Sequence, residues 1–281
     1  MKKNYVGIDA TVKGRIINLV LKIIFRNNNG CYILDEEWDH LIILDACRFD
    51  IFKNEVRTWN IEGKLEYRIS RGANTPSFLL ENFGDRKDDS IVYISANPYT
   101  AIIRNNVYKE IPVYLNGWND QLKTVPPENV YFASLEAIKK YNDKRFIIHF
   151  MQPHHPFLTM PFTCKLEGTN AWTLLKQGKL SRSEVLRGYQ ENLRILKPYI
   201  EKLVRILKGK IVITSDHGNG LGERLHPLIP KRVYGHSYAW IRIEPLVKVP
   251  WFITEGKGDL KFLESELQGV IDEKHCINNL G

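Results

Sequence analysis

A short β-branched run that ends in an acid and an imidazole limits the folds open to this chain. Ile211–Thr214 has the composition of a buried strand, and the next four residues read Ser-Asp-His-Gly. In α/β proteins, ligands bind at the carboxyl ends of strands, where loops can aim side chains. Asp216 and His217 are therefore candidate ligands of one divalent metal, and a plain strand end followed by a turn is the alternative.

A second apolar run ends in an acid in the same way. Leu41–Leu44 predicts a buried parallel strand, and Asp45 ends it. A helix is predicted from Arg48 to Trp59, and Cys47 before it is interpreted as a small buried residue. Two strand ends that both present carboxylates favour a shared site at one edge of a sheet.

The densest polar cluster of the chain follows a third predicted strand, Phe146–Phe150. The cluster reads Pro-His-His-Pro and contains His154 and His155. Two histidines between prolines are held in extended geometry and can bind a metal or an anion. His149, inside the strand, is interpreted as a packed core histidine, whereas His236 follows a glycine in a loop that lets it turn inward.

A candidate nucleophile lies at the start of another predicted helix. Asn74 or Thr75 can cap the helix that Pro76 begins, and Gly72 permits an unusual backbone angle. The same position suits a nucleophile or a phosphate cradle at a helix N-terminus. The local residues favour capping, and both interpretations stay open at this point.

Predicted strands and helices alternate along the chain. Three further strands are predicted: Ile91–Ser95, Ile111–Leu115 and Val249–Ile253. A long helix is predicted at Ser181–Leu207, which Pro198 kinks or divides. The alternation predicts an α/β fold with a mostly parallel central sheet sandwiched by helices. Residues 31–281 are interpreted as one domain, since no strong internal boundary is visible.

Residues 1–30 are set apart as a basic amphipathic helix, with its apolar face in residues 12–27. The stretch is too short and too charged to span a bilayer, and no small-residue cleavage site follows it. A helix of this kind can lie on an anionic membrane, but packing on the domain's own core is the preferred alternative. Peripheral membrane contact through residues 12–27 is a secondary prediction.

The chain of 281 residues is basic, with a formal net charge of +8. Its basic residues are spread along the sequence without a nucleic-acid-binding motif, so the charge favours an anionic small molecule or glycan as partner and not a nucleic acid. The four cysteines lie far apart and form no CxxC pair, which is typical of a reducing compartment. The expected location is therefore the cytoplasm, with or without peripheral membrane contact.

The order and spacing of these motifs resemble the alkaline phosphatase superfamily, specifically its sulfatase-like branch. The matching segments are Leu44–Arg48, Asn74–Ser77, Pro153–Pro156, Ser215–Gly218, Gly235–His236 and Lys248–Pro250. Together they span most of the chain, from about His40 to Ile253. The resemblance implies an alkaline-phosphatase-like α/β fold and the hydrolysis or transfer of phosphate or sulfate esters at a divalent metal site.

The resemblance also implies roles for single residues. The family's metal ligands match three residues of this chain: Asp45, Asp216 and His217. Three further residues would hold a second metal or the substrate's oxygens: His154, His155 and His236. Arg48 would steady the anion, and Glu223 would lie behind the site as a supporting carboxylate. The expected cofactor is one or two divalent ions of Zn, Mn, Ca or Mg.

One position departs from the sulfatase pattern. Sulfatases carry a cysteine, later oxidised, two residues before a proline, and Asn74 stands there in this chain. Thr75 is the nearest hydroxyl and the predicted nucleophile, with Asn74 beside it as a second predicted catalytic residue. The leading prediction is a metal-dependent hydrolase or transferase of phosphate esters, including glycan- or lipid-linked ones. The alternatives are a sulfate-ester hydrolase and a catalytically silent protein that binds a metal or an anion.

Overall fold

The computed structural model describes residues 19–20, 23–25, 27–165, 170–237 and 239–278. Most of the predicted N-terminal segment 1–30 lies outside the described residues, and this includes most of the predicted helix at residues 12–27. Both therefore stay predictions. No helix in the described part is long and apolar enough to cross a membrane.

A seven-stranded sheet forms the centre of the structure, and a separate hairpin of two strands accompanies it. The strands are β1 His40–Asp45, β2 Lys64–Ile69, β3 Asp88–Ser95, β4 Val107–Pro112, β5 Arg145–Pro153, β6 Lys208–Thr214, β7 Gly220–His226, β8 Ile229–Gly235 and β9 Lys248–Lys257. The order across the sheet is β2-β9-β6-β1-β5-β3-β4, and β7 pairs with β8. Strand β9 is antiparallel to β2 and β6, and the other pairs of the large sheet are parallel. The predicted, mostly parallel α/β fold is confirmed.

Helices cover both faces of this sheet. The α-helices are α1 Phe49–Glu55, α2 Thr75–Phe83, α3 Val113–Asn116, α4 Pro127–Lys140, α5 Pro161–Cys164, α6 Ala171–Lys176, α7 Arg182–Ile206, α8 Glu244–Val247 and α9 Leu260–Asn278, with 3-10 helices at Ile33–Asp35, Val56–Thr58 and Pro98–Asn106. Ile42 and Leu44 of β1 pack in one core with α1, α4, α7 and α9, whereas Leu41 and Ile43 pack with α2 in a second core. Successive strand side chains point to opposite faces, so a doubly covered strand needs a continuous apolar run.

Two predicted elements differ in detail from the structure. The strand at the sheet edge begins at Val107 rather than Ile111 and ends at Pro112. Pro112 has no N–H to donate to a ladder, which is why the strand ends there and a short helix follows. The long helix α7 contains Pro198 and is not divided there, and the alternative prediction of a kink stays a prediction.

The carboxyl ends of three neighbouring strands meet in the middle of the sheet. Strand β1 lies between β5 and β6, with Ile43 opposite both His149 and Thr214. Asp45 ends β1 and Asp216 follows β6, so strand pairing alone brings two acids to one edge. Ligands of parallel α/β sheets bind at this edge.

Candidate metal centre

Two buried carboxylates lie together at the carboxyl edge of the sheet. Asp45 is 2% exposed and Asp216 is 0% exposed. Burial and the charge of Asp216 raise the pKa of Asp45 well above its usual value. Burial acts in the same direction on Asp216, but the neighbouring His217 and His149 hold the pKa of Asp216 below its usual value. Two acids this close repel each other when both are ionised, and a divalent cation between them relieves that repulsion.

Tight turns after β1 and β6 aim these acids. Asp216 Oδ1 accepts hydrogen bonds from the backbone N–H groups of Ala46 at 3.0 Å and His217 at 2.9 Å. Ala46 has a φ of 55°, in the left-handed region that non-glycine residues seldom occupy. Such backbone persists where its surroundings impose it, and here it presents a donor to Asp216.

His217 directs an unprotonated ring nitrogen at the two carboxylates. Its Nδ1 lies 2.7 Å from the carbonyl oxygen of Gly218. A carbonyl can only accept a hydrogen bond, so Nδ1 carries a proton, and in the neutral ring Nε2 is the nitrogen that has a lone pair for a cation. Nε2 lies 3.3 Å from Asp216 Oδ2 and 4.0 Å from Asp45 Oδ1. The backbone partner therefore orients His217 as metal ligands usually are oriented.

His149 belongs to the same group, although its sequence was interpreted as that of a core histidine. It is 0% exposed, its Nε2 lies 3.8 Å from Asp45 Oδ2, and this nitrogen has no hydrogen-bond partner within the described residues. Its Nδ1 is 3.0 Å from the Tyr93 hydroxyl, and burial lowers the pKa of the ring to about 4. When Nδ1 donates to Tyr93, Nε2 is free to bind a cation. Ligand atoms of Asp45, His149 and Asp216 lie within 4.8 Å of one another, so these three residues can hold a metal.

A second group of histidines adjoins His217. The ring centroids of His236 and His217 are 4.5 Å apart, those of His154 and His236 5.1 Å, and those of His154 and His155 4.6 Å. His236 Nδ1 lies 3.1 Å from Asn219 Oδ1, and His154 Nδ1 lies 2.5 Å from the carbonyl of His155. Both rings therefore keep an Nε2 lone pair, and burial lowers the pKa of His154 to about 4. The structure brings all three predicted histidines together, and their metal or anion role stays a prediction.

The loop with the two histidines is fixed by Asn192 of α7, which the sequence analysis missed. Its Nδ2 donates to the carbonyl oxygens of Pro153 at 3.3 Å, His154 at 3.1 Å and Pro156 at 3.0 Å. Its Oδ1 accepts from the N–H of Leu158 at 2.9 Å. Asn192 is 0% exposed, and its sequence signal is a polar residue on the buried face of an amphipathic helix.

Thr75 is buried in the first turn of α2, and its hydroxyl contacts the acids. Oγ1 donates to Asp216 Oδ2 at 2.7 Å and lies 3.4 Å from His217 Nε2. Asn97, a further residue that the sequence analysis missed, donates from Nδ2 to Thr75 Oγ1 at 3.3 Å and to Asp45 Oδ2 at 2.5 Å. The hydroxyl stands where a nucleophile beside a metal would stand.

Asn74 is the N-cap of α2. Its Oδ1 accepts from the N–H of Ser77 at 3.0 Å, and Ser77 Oγ accepts from the N–H of Asn74 at 3.3 Å. This capping box satisfies N–H groups that the first helical turn leaves free. The predicted cap is confirmed, and the catalytic role of Asn74 stays a prediction.

Arg48 is buried beside the site, and its guanidinium is engaged by protein groups. It forms ion pairs of 2.7 Å with Asp50 and with Glu223, and it donates to the carbonyl oxygen of Asn219 at 2.9 Å. Asn219 in turn contacts His236, so Arg48 supports the loop that carries this histidine. The predicted contact of Arg48 with a substrate anion stays a prediction.

Solved structures share the fold of this chain, at low sequence identity. No family model and no curated protein matches this chain. The soluble domain of lipooligosaccharide phosphoethanolamine transferase A from Neisseria meningitidis does match, with 13% identity and a TM-score of 0.54, over 82% of this chain and 80% of that one. The integral membrane protein of that name and organism matches with 13% identity and a TM-score of 0.56, over 89% of this chain and 56% of that one.

The predicted cytoplasmic location is wrong. Two solved structures that share the fold are an integral membrane protein and the soluble domain of a protein of the same name. The prediction rested on four cysteines without paired spacing and on the lack of a cleavage site. The lack of paired cysteine spacing does not indicate the compartment, because a domain with a core of this size does not need disulfides for stability.

Proposed function

We propose that this protein is a metal-dependent enzyme that hydrolyses or transfers phosphate esters, with Thr75 as the nucleophile. The observation that carries the proposal is the 2.7 Å hydrogen bond from the Thr75 hydroxyl to Asp216, inside a buried group of two acids and two histidines. Capping of α2 is already provided by Asn74, so the Thr75 hydroxyl is not needed there. A hydroxyl, a base and cation ligands in one site are the parts that phosphoryl transfer requires.

The side chains of the site fit a divalent metal. Asp45, Asp216, His149 and His217 would hold it, and the unpartnered buried Nε2 of His149 supports this assignment. Two oxygen and two nitrogen donors suit Zn or Mn better than Ca or Mg, which prefer oxygen ligands alone. Such an ion, when bound, lowers the pKa of a neighbouring hydroxyl and stabilises negative charge on phosphoryl oxygens.

The chain's own residues perform the proton and bond changes. Asp216 Oδ2 accepts the proton of Thr75 while Oγ1 attacks phosphorus. A new P–O bond to Thr75 forms as the bond from phosphorus to the ester's alcohol oxygen breaks, and the alcohol leaves with the proton. Water, or the hydroxyl of an acceptor, then attacks phosphorus and gives its proton to Asp216. The bond from phosphorus to Thr75 Oγ1 breaks, and Asp216 returns the proton to Oγ1. Water as attacker makes the reaction a hydrolysis, and an acceptor hydroxyl makes it a transfer.

Phosphate esters are favoured over sulfate esters. The Thr75 hydroxyl donates a hydrogen bond to Asp216. Asn74 occupies the position of the oxidised cysteine of sulfatases, and its side chain caps the helix instead. A catalytically silent protein is less well supported, because it would have no use for a buried hydroxyl bonded to Asp216. The fold-sharing phosphoethanolamine transferase adds support for phosphate chemistry.

The substrate is proposed to be an anionic, glycan- or lipid-linked phosphate. The net charge of +8 supports attraction of anions. Contact with a membrane through residues 12–27 is supported by Leu19 and Ile23, which are 62% and 61% exposed. Sedimentation with anionic lipid vesicles tests this contact: the Leu19→Ser/Ile23→Ser variant should bind less, and equal binding by both proteins rejects it.

Metal content is the first test of the site. Elemental analysis should find a stoichiometric transition metal in the wild-type protein and none in Asp216→Asn. The matched control is Asp259→Asn, which changes an acid that pairs with Arg205 at the surface and should keep the metal. A wild-type protein without metal, even after addition of Zn or Mn, would contradict the proposal.

The nucleophile is tested separately with Thr75→Ala. Turnover of a panel of phosphate monoesters, phosphate diesters and sulfate esters should fall by at least about a thousandfold in kcat. Thr254→Ala is the matched control, because its buried hydroxyl donates to the Glu62 carbonyl, far along the chain from the site, and its turnover should not change. A phosphorylated Thr75 in mass spectra after rapid quenching supports the covalent step. Unchanged turnover of Thr75→Ala would reject it.

A further inference from the structure

A second cavity lies beside the group of histidines. It has a volume of about 450 Å³ and lies between α6 and the β7–β8 hairpin. Trp172 forms part of its wall, and the ring of this residue is 6.1 Å from that of His154 and 5.5 Å from that of His155. Tyr234 and Ser237 also line it, on either side of His236 in the chain. One wall residue of the cavity, Trp172, is therefore in contact with the histidines that adjoin the candidate metal centre.

The charge in this cavity is not compensated. Lys176, Lys231 and Arg232 line it, and no aspartate or glutamate is among the lining residues. Within the part of the chain that the structure describes, none of the three forms an ion pair, and Arg232 donates to the carbonyl oxygen of Gly222. Arg232 also lies directly opposite Arg224 in the hairpin, and like charges across a strand pair are destabilising. An anion in the cavity would offset the charge of the three cations that line it.

Trp172, in the wall of this cavity, has a buried polar group. The indole Nε1–H of Trp172 is buried and has no acceptor among the described residues. A buried N–H without a partner costs stability, and most such groups in folded proteins are bonded. The ring itself is fixed by packing, since Phe157 and Tyr189 contact it at 6.3 Å and 5.8 Å between centroids. The three cations that line the cavity are groups that bind phosphate oxygens, and Trp172 forms a rigid part of its wall.

We propose that this cavity binds a second phosphate group of the substrate, so that the enzyme acts on compounds with at least two phosphates. The proposal rests on the proposed function, because it takes the phosphate that reacts to lie at Thr75. A phosphate at the cavity would hold the substrate while its other phosphate is positioned beside the histidines. Substrates with one phosphate would use the same reaction centre but would bind less tightly.

Binding of two simple probes tests the proposal without turnover. Hexyl phosphate and hexanediol bisphosphate have the same chain, and only the second carries two phosphates. Titration calorimetry with the metal-loaded Thr75→Ala protein should show about tenfold tighter binding of the bisphosphate, since charged hydrogen bonds contribute on this scale. In a Lys231→Gln/Arg232→Gln variant of that protein, this preference should disappear.

The matched control carries the same change of charge at the opposite edge of the sheet. Lys257 pairs with Lys208, where β6 begins, and Lys261 follows nearby, so Lys257→Gln/Lys261→Gln should keep the preference. Equal loss in both variants would show general electrostatic attraction and overturn the proposal, as would an unchanged preference in the first variant. If the bisphosphate preference is present but Thr75→Ala leaves turnover intact, the proposed function fails and the anion site stands.

Discussion

Replacement of Asn192 by alanine should lower both the stability of the protein and its activity, because this side chain fixes a loop of the candidate site. Asn192 is 0% exposed and connects α7 to the loop that carries His154 and His155. Three carbonyl oxygens and one N–H of that loop lose their partner in Asn192→Ala. We expect the loop to move, because no other side chain is placed to take over all four bonds.

The size of the effect follows from the bonds. Each neutral hydrogen bond contributes about 1 kcal/mol net, and a buried group left without a partner costs about as much again or more. Water can enter the space left by the side chain and satisfy part of the loop. We therefore expect a loss of about 3 kcal/mol in the free energy of unfolding. Displacement of supporting groups around a metal site lowers activity by about 10- to 100-fold, and kcat/KM on a phosphate ester should fall by that factor.

Asn82→Ala is the control for this prediction. Asn82 is also 0% exposed, accepts from the N–H of Ile33 at 2.8 Å and donates to the carbonyl of Phe78 at 2.9 Å, and neither partner lies in the site. Urea unfolding should show a loss of about 2 kcal/mol, with kcat/KM unchanged. An Asn192→Ala protein that is destabilised but keeps its full kcat/KM would refute the reasoning, since the position of the loop would then be irrelevant to the reaction.

Three further results are expected. Burial lowers the pKa of His40 to about 4, below its unfolded value of about 6.5, so its contribution to stability is complete above pH 6.5 and is lost as the pH falls towards 4. Between about pH 7 and pH 5, the free energy of unfolding in urea should fall by about 2 kcal/mol more for the wild type than for His40→Asn. Equal losses in the two proteins would contradict this. In Gly218→Ala the new methyl group would collide with the carbonyl oxygen of Pro245, so stability should fall by about 2 kcal/mol or more and metal should be lost, whereas Gly269→Ala in open space should gain up to about 1 kcal/mol. Zn or Mn at about a hundred times its Kd should stabilise wild type by about 2.7 kcal/mol and Asp216→Asn hardly at all, as followed by thermal unfolding.

Much of the fold could be predicted because the central strands are covered on both faces. A strand with two buried faces needs a continuous apolar run, and Leu41–Leu44 and Ile211–Ile213 meet that condition. Their polar ends then mark the edge where a site can form, and this pointed to Asp45 and Asp216. The strand β4 was harder to delimit, because an edge strand has weaker apolar patterning and Pro112 determines its end.

The residues that position the site were not predictable in the same way. Asn97 and Asn192 act through contacts with segments far away in the sequence, and an asparagine in a loop or helix has many ordinary uses. Ala46 adopts a left-handed backbone angle that its residue type does not favour, so the local sequence does not predict this conformation. Such positions depend on tertiary contacts rather than on propensity or hydrophobic pattern.

His149 shows which piece of information was lacking. Alternation along β1 places Asp45 on the same face as Ile43, and alternation alone was readable from the sequence. The structure adds that β5 is the neighbour of β1 and that His149 lies opposite Ile43. With this register, His149 shares a face with Asp45, so a role as metal ligand stands beside its interpretation as a packed core histidine. The sheet order β6-β1-β5 does not follow the order of the strands in the chain, so the adjacency of β1 and β5 could not be obtained from the local pattern.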